Sequence, residues 1–234
     1  MKILAIESSS VTCAAALCEE ETLLAQTFQN SGLTHSRTLM PMLESLLRNS
    51  GQSIEDVALV AVAAGPGSFT GLRIGISAAK GLAWARALPC AACSTLEAAA
   101  WSLAHTGEEL CVVMDARRGQ VYNARFAADG TALRRLSPDR AIAMDALAEE
   151  LKACRRPPLL LGDGAVMCRD ALRRYEVETT LAPPHLRYPA AWGVARCALE
   201  LARRGALTDA AGLVPQYHRL SQAERERLAS HNAN

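Results

Sequence analysis

LVAVAAGPGSFTGLRIGISAAKGLAWA, residues 59–85, sets the fold class. Leu59–Ala64 is an apolar run of strand length without polar alternation, the pattern of a central strand buried on both faces. Gly65-Pro66-Gly67-Ser68 turns the chain, and a long helix is predicted from Phe69 to about Ala87, stopping before Pro89. Strand, tight glycine turn and helix in that order make an α/β protein. The turn reads in two ways. Free N–H groups and the positive end of a helix dipole converge there, which is the recipe for an anion site. It equally serves as a tight turn with close helix packing. No specific phosphate or nucleophile motif fits. Thr70 stands where a dinucleotide fingerprint needs glycine, Gly71-Leu72-Arg73 replaces the Walker ending, and Ser68 is misplaced for a nucleophile elbow.

The helix after the turn is apolar or tiny almost all round. Arg73, Ser77, Lys80 and Trp84 fall on one narrow stripe. Gly71, Gly75, Ala78, Leu82 and Ala85 make a second line, and Leu72, Ile76, Ala79 and Ala83 a third. Such a helix is covered on more than one side. One cover is the sheet. The other is a second protein or the predicted helix Ser36–Asn49, whose apolar stripe is Leu39, Met40, Leu43, Leu46 and Leu47.

Upstream, Lys2–Glu7, Thr12–Cys18 and Thr22–Phe28 are closely spaced strands, so they pair as antiparallel hairpins. Downstream come a strand at Pro89–Cys93 and a helix capped by Ser94 or Thr95 that runs to about His105. Thr106-Gly107 is the expected boundary between residues 1–106 and 107–234. The second half restarts with strands Leu110–Asp115, Gln120–Phe126 and Leu133–Leu136, with a turn at Asp129-Gly130. It continues with helix Met144–Lys152, strand Leu159–Leu161 and helix Ala190–Arg204, closed by Gly205. Both halves therefore share one element order, a duplicated α/β plan.

Composition excludes several classes of function. The 234 residues are 50% hydrophobic and only 4% aromatic, so the core is built from Ala, Leu and Val, and disorder is excluded. A net charge of +1 gives no overall bias toward nucleic acid or membrane. Arginine pairs such as Arg155-Arg156 and Arg173-Arg174 concentrate in the second half and read as a solvated surface, with RNA contact as the minority reading. The eight cysteines lack a disulfide spacing, and Cys111 reads as a reduced, buried thiol. Without a signal h-region or a membrane-length apolar run, the expectation is a soluble, cytoplasmic protein with no membrane contact.

Candidate chemistry is sparse. Cys90 and Cys93 form a lone C-x-x-C inside a strand, where core packing is the default. His35 precedes a helix, as a cap or polar contact, and the other histidines are scattered. Glu7, Asp115 and Asp163 stand near strand ends, where α/β proteins place functional carboxylates. No catalytic set or metal face assembles, and no cofactor is expected.

Four segments carry a family resemblance: ILAIESSS at 3–10, THSRTLMPMLESLL at 34–47, AAGPGSFTGLRIGISAAKGLA at 63–83 and LVPQYHRLSQAERE at 213–226. Together they resemble the TsaB (YeaZ) family, the accessory subunit in bacterial tRNA threonylcarbamoyladenosine synthesis. Gly65, Pro66, Gly67, Ser68, Phe69 and Thr70 form its signature turn. The resemblance implies two lobes of the actin/sugar-kinase/Hsp70-like (ribonuclease H-like) class. It also implies likeness to the catalytic, TsaD-type subunit, which carries Asn-His-Leu-Glu-Gly-His with two metal-binding histidines. Here the stretch reads Ser94-Thr95-Leu96-Glu97-Ala98-Ala99, so Thr95 and Ala99 stand at lost metal-ligand positions.

The implied role is a non-catalytic scaffold that forms homodimers and binds a TsaD-type subunit through the first-lobe helices. Gly71, Arg73, Gly75, Ala78, Leu82, Leu39 and Leu43 are the interface residues this predicts. A TsaE-type ATPase completes the machinery and a TsaC-type enzyme supplies threonylcarbamoyl-adenylate. The group goes to the adenosine beside the anticodon of tRNAs reading codons that start with A, with tRNA met only through the complex. Two other readings stand beside it. One is a nucleotide-dependent enzyme of the sugar-kinase type using Ser8–Ser10 and Gly162–Gly164 as phosphate turns. The other is a metallopeptidase, disfavoured by Thr95 and Ala99.

Overall fold

A computed structural model describes residues 1–130 and 132–218. Residues 219–226 of the last resembling segment, and His231, lie outside the described residues. The chain begins with β1 (Lys2–Glu7), β2 (Cys13–Glu19) and β3 (Thr22–Gln29), followed by α1 (His35–Asn49) and β4 (Leu59–Gly65). Next come α2 (Phe69–Trp84), β5 (Cys90–Ser94) and α3 (Thr95–Trp101). The second half runs β6 (Glu109–Asp115), β7 (Gln120–Ala128), β8 (Leu133–Arg135), β9 (Arg140–Ala143) and α4 (Met144–Lys152). It closes with β10 (Leu159–Leu161), α5 (Ala165–Leu172), β11 (Thr180–Leu181) and α6 (Ala191–Arg203).

The first sheet has the order β3-β2-β1-β4-β5, with β1–β3 an antiparallel meander and β4 and β5 added in parallel. The second sheet repeats this as β8-β7-β6-β10-β11, with β9 also paired to β7. In each half a helix, α1 or α4, leads to the first parallel strand, and a glycine turn then opens the next helix, α2 or α5. This is the two-lobed plan of the actin/sugar-kinase/Hsp70-like class. The elements missing from the expectation, β9, β11 and α5, are too short to carry a period. α2 ends at Trp84 because the chain swings to φ +50° at Ala87, and α3 ends at Trp101 before a 3₁₀ turn at Ala104–Thr106.

Alanine decides how the layers stack. On one face of the first sheet Ala14, Ala16, Ala61, Ala63 and Ala91 meet α3 and α6. On the other face the larger Leu4, Ile6, Leu17, Val60 and Val62 meet α1 and α2. The small-residue face lets α6 lie close, although α6 follows the second sheet in the chain. The chain from Ala191 onward, expected in the second lobe, is thus packed on the first. Thr208 bridges to Cys90, and the Gln216 N–H donates to the Ala64 carbonyl at 2.7 Å. α3 lies between the sheets, with Ala98 and Trp101 in the core of the first and Leu96 and Ala99, joined by Leu103 just beyond the helix, in the core of the second.

α3 and α6 cross at Gly193, where a Cβ would overlap the Ala98 carbonyl. Gly193→Ala is expected to cost about 1–3 kcal/mol in urea denaturation, because overpacking here meets backbone. Gly81, on the exposed side of α2 with nothing near a Cβ, gives the opposite sign. Gly81→Ala is expected to raise stability by roughly 0.5–1 kcal/mol through helix propensity.

Candidate functional site

The turn between β4 and α2 is a packing device. Ser68 caps α2, its hydroxyl accepting from the Gly71 N–H at 3.3 Å, while the Ser68 N–H donates to the Ser9 carbonyl at 2.7 Å. A Cβ at Gly67 would overlap the Ser9 carbonyl, at Gly71 the Ser8 carbonyl, and at Gly75 the Ser8 hydroxyl. Gly65, at φ +139°, would strike the Gln216 carbonyl. The glycines therefore let α2 approach the β1–β2 turn of the same chain. Gly71 and Gly75, expected at a subunit surface, are corrected to interior positions.

The Ser8–Ser10 hydroxyls are all engaged within the protein. Ser8 Oγ donates to the Gly71 carbonyl at 2.9 Å, and Ser10 Oγ pairs with Thr12 Oγ1 at 2.8 Å. The Ser9 N–H and hydroxyl both donate to Glu7 Oε1, at 2.6 and 2.5 Å. His35 Nε2 reaches the Ser10 carbonyl at 2.9 Å, tying α1 to the same turn, while Thr34 holds the cap position of α1. Glu7 is fully buried, and burial raises its pKa from an ordinary 4.5 to about 7, against the Ser9 donors and with a further push from Asp163. Among the described residues Glu7 Oε2 has no partner.

The second lobe repeats the arrangement. Gly162, at φ +104°, packs against the Val113 carbonyl, and Gly164 lies against the Met114–Asp115 backbone. Asp163 Oδ1 accepts from the Asp115 N–H at 3.2 Å, and burial lifts its pKa to about 6. Asp163 adds a small upward push to Glu7, which places the turns of the two lobes within electrostatic reach of each other.

The residues at 95 and 99 do not fit a metal. Thr95 opens α3 fully buried and Ala99 faces the apolar core under the second sheet; neither supplies an imidazole. Among the described residues no group of three or more His, Cys, Asp or Glu is placed to hold one. Cys90 and Cys93 are split between the two faces of β5, so they do not face each other, and burial pushes both thiols up. All eight cysteines are free.

A groove of about 660 Å³ opens outward between α1 and α2, lined by residues that include His35, Met40, Phe69, Arg73, Ile74 and Ala78. The stripe Phe69, Arg73, Ser77 and Trp84 faces solvent, with Trp84 73% exposed and Met40 48% exposed across the groove. Leu39 and Leu43, expected at the surface, are 1% and 2% exposed and belong to the core under the first sheet. Ala78 and Leu82 are half-buried and Arg73 is exposed. Tyr217, unforeseen in the sequence, stacks on Phe69 with centroids 4.9 Å apart.

Residues 26–160 match the family model described as TsaD: tRNA N6-adenosine threonylcarbamoyltransferase. The chain is 36% identical over 233 residues to the tRNA threonylcarbamoyladenosine biosynthesis protein TsaB of Bacillus subtilis (strain 168), covering 98% of this chain and 99% of that one. The chain belongs to the TsaB family. It is also 35% identical over 113 residues to the tRNA N6-adenosine threonylcarbamoyltransferase of Bordetella pertussis, covering 42% of this chain and 33% of that one. A Pseudomonas aeruginosa crystal structure described as similar to peptidase YEAZ superimposes with a TM-score of 0.81 at 25% identity, over 93% of this chain and 99% of that one. Among the described residues no helix is long and apolar enough to cross a membrane.

Glu7 gives this TsaB-family chain a pH signature. Because the folded carboxyl holds its proton to about pH 7 and the unfolded one only to about 4.5, stability falls as pH rises through that window. The loss attributable to Glu7 is roughly 3 kcal/mol, at about 1.4 kcal/mol per pH unit. Glu7→Gln keeps an acceptor for Ser9 and loses the charge, so its thermal midpoint should exceed that of the parent at pH 8 and change less between pH 5 and 8. Melting curves at the two pH values check this; parallel shifts of both proteins would refute it.

Proposed function

We propose that this chain is the non-catalytic subunit of a tRNA threonylcarbamoyladenosine synthase. It pairs with a TsaD-type catalytic subunit, and a TsaE-type ATPase joins the assembly. The observation that carries this reading is the outward stripe of α2 facing α1. Exposed Met40 and Phe69 in the groove, with exposed Trp84 further along α2, make an apolar surface of the kind that another protein covers. The absence of a nucleophile or an imidazole pair at Thr95 and Ala99 supports a scaffold rather than a transferase. The engaged hydroxyls of Ser8–Ser10 and the packed turn at Gly162–Gly164 count against a sugar-kinase type of nucleotide chemistry.

A homodimer and the heterodimer would use the same groove, so the two assemblies exclude each other. tRNA is met through the complex, and its modification places the protein's work in the cytoplasm. Reconstitution tests the role: the catalytic subunit and ATPase modify tRNA only when this chain is added. Full modification without it, at equal concentration, overturns the proposal.

The groove has its own test. Met40→Asp in the groove and Trp84→Asp further along α2, both at exposed positions, are expected to weaken binding to the catalytic subunit by at least tenfold with the thermal midpoint little changed. Unaltered titration curves for both variants would remove the groove from the interface.

A further inference from the structure

The chain returns from α6 along residues 206–218 and ends its described course on the partner groove. Leu213 is fully buried in the core beneath α1 and α2, and Lys80 Nζ donates to the Ala211 carbonyl at 3.3 Å. Gln216 is pinned to Ala64 across Gly65. Tyr217 therefore arrives at α2 on an anchored strap. Its hydroxyl accepts from Arg73 Nε at 3.0 Å while its ring lies on Phe69. The Arg73 guanidinium also sits over the Phe69 ring, 3.8 Å from the centroid. These contacts engage Nε and one face of the guanidinium. Among the described residues its two terminal nitrogens have no partner.

A guanidinium fixed in this way presents the edge that binds a carboxylate bidentately, with the cost of ordering its long side chain already met by the two rings. The surrounding apolar side chains, Met40 and Phe69, would shield such a pair from water once covered. A second copy of the chain offers little to it. α2 contains no acid, and the one acid of α1, Glu44, lies 3.4 Å from Arg48 on its own helix. Two copies would bring Arg73 and Lys80 toward more cations.

We infer that Arg73, held by Tyr217, is the charged anchor of the groove, and that it takes a carboxylate from a different protein in preference to a second copy. This rests on the groove being the partner site of the proposed function and names the chemistry that selects the partner. Tyr217 is a positioning residue: it acts on the partner through Arg73.

The test is a double-mutant cycle on the full chain, titrated against the catalytic subunit and, separately, against itself. Arg73→Gln should weaken the heterodimer by about tenfold and leave the homodimer unchanged or tighter. Tyr217→Ala should weaken the heterodimer severalfold in the parent and add nothing in the Arg73→Gln background, whereas two independent contacts would add. Tyr217→Phe, which keeps the stack and loses the hydroxyl, should fall between. Raising salt should loosen the heterodimer and not the homodimer. Equal weakening of both assemblies by Arg73→Gln, or additive effects of the two substitutions, overturns the inference. If Met40→Asp weakens the heterodimer and Arg73→Gln does not, the groove stands and the anchor falls. If neither substitution matters, both fall.

Discussion

The close approach of the first turns of α2 to the Ser8–Ser9 backbone is the contact on which the rest of the molecule depends. It requires a missing side chain at 67, 71 and 75, because the Ser9 and Ser8 carbonyls and the Ser8 hydroxyl occupy that space. The requirement fixes the rotation of α2. With Gly71 and Gly75 turned inward, helical spacing sends Phe69, Arg73, Ser77 and Trp84 to the opposite side. One interior constraint therefore composes the exterior face, and a substitution at Gly71 would be a stability change before it was a binding change.

The same device, repeated at Gly162 and Gly164, gives each lobe a turn filled by its own backbone. In an open turn these glycines would leave N–H groups free for an anion. Here the Ser68 N–H is taken by Ser9 and the Gly162 N–H by the Arg187 carbonyl, at 2.7 Å each. Filling the turns buries the carboxyls beside them. Glu7 and Asp163 are pushed toward the neutral form mainly by loss of water, and among the described residues one oxygen of Glu7 has no donor.

Much of this was legible in the sequence and some was not, for physical reasons. β4, α2 and the hairpin at β1–β3 announce themselves through apolar run length, glycine punctuation and spacing. The outward stripe of Arg73, Ser77 and Trp84 was also visible in the helical period. Gly71 and Gly75 face inward although the family resemblance implies an outer surface for them, since small residues permit close approach to any backbone and the period does not say whose. Leu39 and Leu43 look the same in either setting: an apolar stripe faces whichever surface covers it. Tyr217 left no local signal, because its partner Arg73 is 144 residues away. The return of α6 to the first sheet was equally hidden, being a matter of which alanine face is open.

The joint between the lobes follows from the same preference for small residues. α3 touches both sheets, and at Ala99 it contributes to an apolar cluster with Leu110, Val112 and Phe126. An imidazole there would need room and a hydrogen-bond partner that this cluster does not provide. Alanine at that point makes α3 a packing element. Gly193 lets α6 clasp α3, and Arg196 adds a contact 4.7 Å above the Trp101 ring and an ion pair with Glu21 at 3.2 Å. The lobes are thereby joined by helix packing at α3 and α6. The packing that joins the lobes uses the small-residue faces of α3 and α6, and it leaves the outer stripe of α2 uncovered.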